Sequence, residues 1–191
     1  MSIATSTIFS GAPGDLPLAP SADLNRLLEQ VDFELIDGKL RTRPMGAKSS
    51  WIGGRIYGFL FTFLAKNPIG HIFISDCGYT CFPKNTLRKP DVSFIRLGRL
   101  EGEEIPSGWL PIPPDLAVEV LSPGDVADEM DEKVQQYLKA GVRLVWEVHP
   151  ASRTVIVHRG DGTIAALKEL DELSGEDVVP GFSLPLAKVF E

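Results

Sequence analysis

The stretch Asp115-Leu116-Ala117-Val118-Glu119-Val120-Leu121 constrains this chain more than any other. A strand's period of two puts Leu116, Val118 and Val120 on one face and Asp115, Ala117, Glu119 and Leu121 on the other. Glu119 is then a lone acid at the centre of an apolar strand. Burying an unpaired carboxylate is costly enough that it finds a cation, a metal ion or a proton, and the same holds for Asp91 at the start of Asp91-Val92-Ser93-Phe94-Ile95. Two such acids on adjacent strands predict a divalent-metal site. On these strands alone, the competing reading is an edge glutamate facing water or a buried one paired with arginine.

The flanking elements read as an α/β domain. At 191 residues the chain has the length of one domain, expected over 21–191 behind a flexible Ser, Ala, Gly and Pro rich arm over 1–20. Ser21 caps a short helix that carries Leu24, Leu27, Leu28 and Val31 on one face. Asp37-Gly38 between apolar runs predicts a hairpin with Glu34 on its first strand. Apolar residues at helical spacing from Ile52 to Leu64 predict a helix over Ser49–Ala65, and Gly53, Gly54 and Gly58 suggest that it packs closely on a sheet. Strands are expected at His71–Ser75, Gly78–Phe82, Asp91–Leu97 and Asp115–Leu121. A helix capped by Asp125 follows through Ala140, then a buried strand over Val142–Val148, then a hairpin of Arg153–His158 with Thr163–Lys168.

Several chemistries are excluded at once. The phosphate-cradling, dinucleotide, nucleophile-elbow and zinc-protease signatures G-x-x-x-x-G-K-[ST], G-x-G-x-x-G, G-x-S-x-G and H-E-x-x-H do not occur. No apolar run reaches the length of a membrane span, and residues 1–20 lack the pattern of a signal peptide, so a cytoplasmic location is expected. Cys77 and Cys81 read as reduced structural thiols, and His149 and His158 as surface or packing residues.

The net charge of -7 hides a strong asymmetry. Between Lys39 and Arg99 stand eleven cations and two acids, Asp76 and Asp91, whereas the remainder holds eight cations and 24 acids. Asp91 directly follows Arg88-Lys89-Pro90. A polyanion brought to that carboxylate needs a metal ion between them. Nonspecific, salt-sensitive nucleic-acid binding is therefore expected through Arg41, Arg43, Lys48, Arg55, Lys84, Arg88 and Lys89.

Lys133 borders the apolar stripe Met130, Val134, Tyr137 and Leu138 of its helix, from which its ammonium can lean toward Glu119 or snorkel to solvent. With Lys133 in place, an ordered motif series is complete. Phe33-Glu34-Leu35-Ile36-Asp37-Gly38, Arg88-Lys89-Pro90-Asp91-Val92, Pro114 to Pro123, Lys133-x3-Tyr137-x3-Gly141-Val142 and Val145-Trp146-Glu147-Val148-His149-Pro150 resemble the Uma-type restriction endonuclease family of the PD-(D/E)XK nuclease superfamily. The resemblance implies a restriction-endonuclease-like α/β core, a central mixed β-sheet flanked by helices with added β-hairpins. It also implies a metal site formed by Asp91 and Glu119. Leu121 stands where the superfamily usually has its lysine, which passes that role to Lys133; Lys48-Ser49-Ser50-Trp51 replaces a histidine that the family tends to carry.

The resulting expectation is an endonuclease in which Asp91, Glu119 and the Val120 carbonyl hold Mg2+ (or Mn2+) and Lys133 orients the attacking water. Glu34 is the fourth member, as ligand of a second metal or as general base. Lys133→Ala is expected to abolish cleavage with little loss of stability. The partner expected is nucleic acid, DNA before RNA, with the chain as a homodimer. Two alternatives are an inert nucleic-acid-binding or self-associating module that keeps the fold, and a metal-dependent hydrolase of some other substrate.

Overall fold

The computed structural model describes residues 33–42 and 46–191, so the arm expected over 1–20, the helix from Ser21 and Arg43 lie outside the described residues. Two sheets dominate the described chain. Strands β1 (Phe33–Ile36), β2 (Lys39–Thr42), β4 (Tyr79–Phe82) and β5 (Thr86–Arg88) form a four-stranded sheet in the order β2-β1-β5-β4. Strands β3 (Gly70–Ile74), β6 (Val92–Arg96), β7 (Leu116–Val120), β8 (Leu144–His149), β9 (Thr154–Arg159) and β10 (Ile164–Lys168) form the central sheet, in the order β10-β9-β8-β7-β6-β3. Its one parallel pair is β7 with β8, and every other neighbouring pair is antiparallel.

Local chemistry accounts for these elements. The β1–β2 hairpin turns through Asp37 (φ 49°) and Gly38 (φ 77°), both in the left-handed region that a two-residue primed turn requires. Parallel strands need a crossover, and α2 (Ala127–Lys139) supplies it between β7 and β8. Asp128 and Glu129 in the first turn of α2 and Lys139 in its last suit the helix dipole. Asp125 is not the cap that the sequence suggests. Val126 occupies that position, while Asp125 accepts a hydrogen bond from the Ser122 amide at 2.7 Å and so fixes the turn after β7.

The central sheet is buried on both faces. Leu116, Val118 and Val120 pack with Ile52, Ile56 and Leu60 of α1 (Ala47–Leu64). The same layer is completed by the C-terminal hairpin β11 (Glu172–Ser174) and β12 (Ser183–Pro185) with α3 (Ala187–Phe190). On the opposite face Ala117 and Val145 meet Met130, Val134 and Tyr137 of α2 together with Tyr79 and Phe82 of β4. The glycines of α1 do not all face the sheet: a Cβ at Gly53 would lie 3.8 Å from the Asp91 Cβ, whereas Gly54 and Gly58 have nothing within 4 Å. Strands β5, β11 and β12 are too short to show a period in the sequence, and the structure adds them.

A buried ionic centre between two sheets

Glu119 lies where the period-two reading puts it, on the α2 side of β7, and is 2% exposed. It is not alone there. The Lys133 ammonium is 2.8 Å from Glu119 Oε2, and the Tyr137 hydroxyl donates to Glu119 Oε1 at 2.6 Å. Both donors come from α2, one helical turn apart, the spacing at which side chains share a face. Lys133 therefore turns inward, with 8% of its surface exposed.

The ammonium has a second carboxylate. Glu34 Oε1 is 3.1 Å from Lys133 Nζ, so the cation bridges the β1 strand of one sheet and the β7 strand of the other. Glu34 also accepts from Arg88 Nη1 at 3.0 Å and from the Lys89 amide at 2.9 Å. Arg88 continues to Gln136 of α2, donating from Nε at 2.9 Å and from Nη2 at 2.8 Å. Two carboxylates and two cations, each under a tenth exposed, thus balance their charges inside the protein.

Asp91 sits just before β6, and its Oδ2 accepts from the Val120 amide at 2.7 Å. That bond ties Asp91 to the residue after Glu119. The structure thus joins Glu34, Glu119 and Lys133 directly and holds Asp91 against the end of β7. Among the described residues no three His, Cys, Asp or Glu side chains form a ready cage for a metal ion. The oxygens that could serve one are the carboxylates of Asp91 and Glu119 and the carbonyl of Val120, all hard donors of the kind Mg2+ and Mn2+ take.

Burial governs the protonation of the phenol. Removal from water raises the Tyr137 pKa well above its ordinary value, and the negative charges of Glu119 and Glu34 raise it further. Tyr137 is consequently a donor to Glu119 at any physiological pH.

The sequence reasoning needs two corrections among the cations. Arg88 and Lys89 are 3% and 5% exposed, so neither is part of an open phosphate-binding surface. Arg88 serves Glu34 and Gln136, and the Lys89 ammonium lies 4.9 Å from the centre of the Trp109 ring. Arg55 also has partners, donating from Nε to the Lys188 carbonyl at 2.8 Å and lying over Trp51. Ser49, at the place where the family tends to carry a histidine, is buried and shares a 2.8 Å hydrogen bond with Ser122.

A further buried acid, Glu147, escaped the sequence reading, although the signal was the one that exposed Glu119. Glu147 interrupts the apolar strand β8 and is paired in register with Glu119. His158 Nε2 lies 2.8 Å from Glu147 Oε2, while His149 Nε2 lies 2.9 Å from Oε1 but out of line for a hydrogen bond. Burial works to raise the Glu147 pKa, but the His158 hydrogen bond and the charges of both histidines outweigh it and hold the pKa below the usual carboxylate range.

With this geometry established, comparison with known proteins is informative. Residues 21–187 match the Uma2 family, described as "Putative restriction endonuclease". The chain belongs to that family. A crystal structure from Anabaena variabilis, described as "a putative nuclease belonging to DUF820", superposes with a TM-score of 0.72 at 24% sequence identity. The superposition covers 83% of this chain and 89% of that one, and it shows a shared fold. No curated protein matches this member of the Uma2 family. Among its described residues, no helix is long and apolar enough to cross a membrane.

Proposed function

We propose that this chain is a metal-dependent endonuclease that hydrolyses phosphodiester bonds of nucleic acid, with DNA as the substrate. The observation that carries the reading is the Lys133 ammonium held between the buried carboxylates of Glu34 and Glu119. For stability alone, apolar residues of similar volume serve as well as a buried ion cluster, and strongly interacting buried charges concentrate at functional sites. Membership of a restriction endonuclease family supports the same reading.

The donor set suits Mg2+ or Mn2+. Both Glu119 oxygens are held by donors from α2, which fixes the direction in which the carboxylate would face an ion. Asp91, Glu119 and the Val120 carbonyl would hold the ion, which would acidify a bound water and offset phosphate charge. Lys133 orients the attacking water and neutralises charge developing on the phosphate. Glu34 helps to hold the Lys133 ammonium in place beside Glu119, and Tyr137 fixes the rotamer of Glu119. A homodimer in the cytoplasm completes the proposal.

One observation favours the inert alternative: Glu34, Glu119 and Lys133 satisfy one another in a closed cluster at most 8% exposed. Incubating supercoiled and single-stranded DNA with the protein and Mg2+ or Mn2+, beside Glu119→Ala, decides between the two. Metal-dependent nicking that vanishes in the variant supports the nuclease. Binding without nicking at any metal concentration supports the inert module.

A further inference from the structure

Strand β2 is one edge of the four-stranded sheet, and its register fixes which of its side chains look toward the ionic centre. Glu34 pairs directly with Arg41, and Ile36 with Lys39. Residues directly opposite in an antiparallel pair project from the same face. Arg41 and Lys39 therefore share the face through which Glu34 reaches Lys133, while Leu35 and Leu40 turn to the other face and pack with Leu87 and Trp109. The pairing of Leu35 with Leu87 brings Arg88 beside Glu34 on its far side. One sheet face thus carries Arg41, Glu34 and Arg88 in a row, with Arg88 buried at its inner end and Arg41 exposed at the open edge.

Charge decides what that edge can receive. Glu34 is already served by Arg88, Lys133 and the Lys89 amide, so Arg41 is not needed to neutralise it. Arg41 adds positive charge at the solvent side of a cluster that is internally balanced, and Lys39 is exposed beside it on the same face. The hairpin tip of β4–β5 adds another exposed cation, Lys84, and is joined to the β1–β2 turn by the hydrogen bond from the Gly38 amide to the Asn85 carbonyl. A cationic strip on the rim of a neutral centre, in a chain of net charge -7, favours a polyanion over any neutral or cationic partner.

We propose that the exposed edge of β2, through Arg41 and Lys39 with Lys84 at the adjoining tip, is the surface that grips the phosphodiester backbone of nucleic acid and guides it to Lys133. This rests on the nuclease reading and deepens it by locating the backbone contact. It also removes Arg88 and Lys89 from that contact.

The test measures binding of a labelled 20-base-pair DNA duplex against salt concentration by fluorescence anisotropy, without divalent metal. Wild type, the double variant Lys39→Glu/Arg41→Glu, Lys84→Glu and the control Lys66→Glu are compared. Lys66 is exposed just beyond the C-terminal end of α1, away from β2, and matches the charge change. The double variant is expected to lose at least about tenfold in affinity and to lower the slope of log K against log salt by about two, as two lost phosphate contacts require. Lys84→Glu is expected to lower the slope by about one. Lys66→Glu is expected to bind within about twofold of wild type at matched salt. Equal binding by wild type and the double variant, with matching thermal melts, overturns the β2 assignment alone. So does an equal loss in Lys66→Glu. If wild type shows no salt-dependent binding and does not cut DNA, the nuclease reading itself falls. Replacing the duplex with single-stranded RNA of the same charge distinguishes a backbone contact from one that needs a DNA groove.

Discussion

The Tyr137 hydroxyl donates to Glu119 Oε1 at 2.6 Å, and this bond fixes a carboxylate that β7 alone would leave free to rotate. The ring is held independently, edge-on to Phe82 with centroids 5.7 Å apart. Tyr137→Phe therefore removes the donor and keeps the packing. Urea unfolding should register a loss of about 1–3 kcal/mol, the cost of leaving a buried acceptor without its partner. On the nuclease reading, calorimetry should show Mg2+ binding about tenfold weaker, because groups that orient a metal ligand contribute at that level. Unchanged stability and metal binding would remove Tyr137 from the site.

Lys133→Ala gives a different expectation from the one its helix position suggests. A lysine bordering an apolar stripe should be expendable for stability, but this ammonium separates two buried carboxylates. Removing it leaves Glu119 without its cation, and Glu34 with Arg88 alone, and should cost about 3–5 kcal/mol. The double variant Lys133→Ala/Glu34→Gln should recover part of that loss, so the two effects will not add. Strict additivity in a denaturation cycle would show that the two residues are uncoupled.

Glu147 sets part of the acid limb of the stability curve. Its pKa is held low in the folded protein, so its contribution is present above the ordinary glutamate value of about 4.3 and is lost as pH falls through the folded value. Glu147→Gln should be less stable than wild type at pH 6 to 7, and the gap should narrow on acidification below pH about 4. Chemical denaturation at a series of pH values measures this. A gap that widens with acid contradicts the assignment.

Cys77 and Cys81 are free, and burial pushes both thiols up to about 11. Only the thiolate reacts with an alkylating agent. At pH 8 the native protein should therefore react with iodoacetamide about a hundredfold more slowly than the urea-unfolded chain, where an ordinary thiol value returns. Mass spectrometry of quenched samples gives the rates, and equal rates would mean that the thiols are not shielded.

Much of this architecture was legible because it depends on local patterns. The alternation along β7 oriented Glu119 correctly, and the Asp37-Gly38 pair gave the hairpin its turn. The partners of the charged groups were harder to read, since they come from residues far apart in the chain. Arg88 and Lys89 read as solvent cations because nothing near them in sequence says that Glu34, 54 positions from Arg88, will meet them. The hydroxyl of Tyr137 was hidden by its ring, which fits an apolar stripe whether or not its oxygen has a task. Glu147 was passed over because its strand reads as a continuous apolar run, yet its neighbours on β9 are what permit an acid there.

The attachment of the smaller sheet to the central one is unusual in its composition. Strand β4 joins the large cluster against α2 through Tyr79 and Phe82, but the β1–β2 hairpin has a small apolar cluster of its own, centred on Leu35 and Leu87, and the seam beside it is stitched by Glu34, Arg88, Lys133 and Gln136. The hairpin can separate from β5 with little exposure of oily surface beyond Leu35 and Leu87, and it takes the one negative charge of Glu34 with it. If the β1–β2 hairpin lifts while Arg88 stays behind on β5, Lys133 keeps only Glu119, and the net charge facing the end of β7 becomes more positive by one unit. Docking of the hairpin and electrostatic tuning of the centre are then a single event, so a ligand that pulls on β2 acts on Lys133 without touching it.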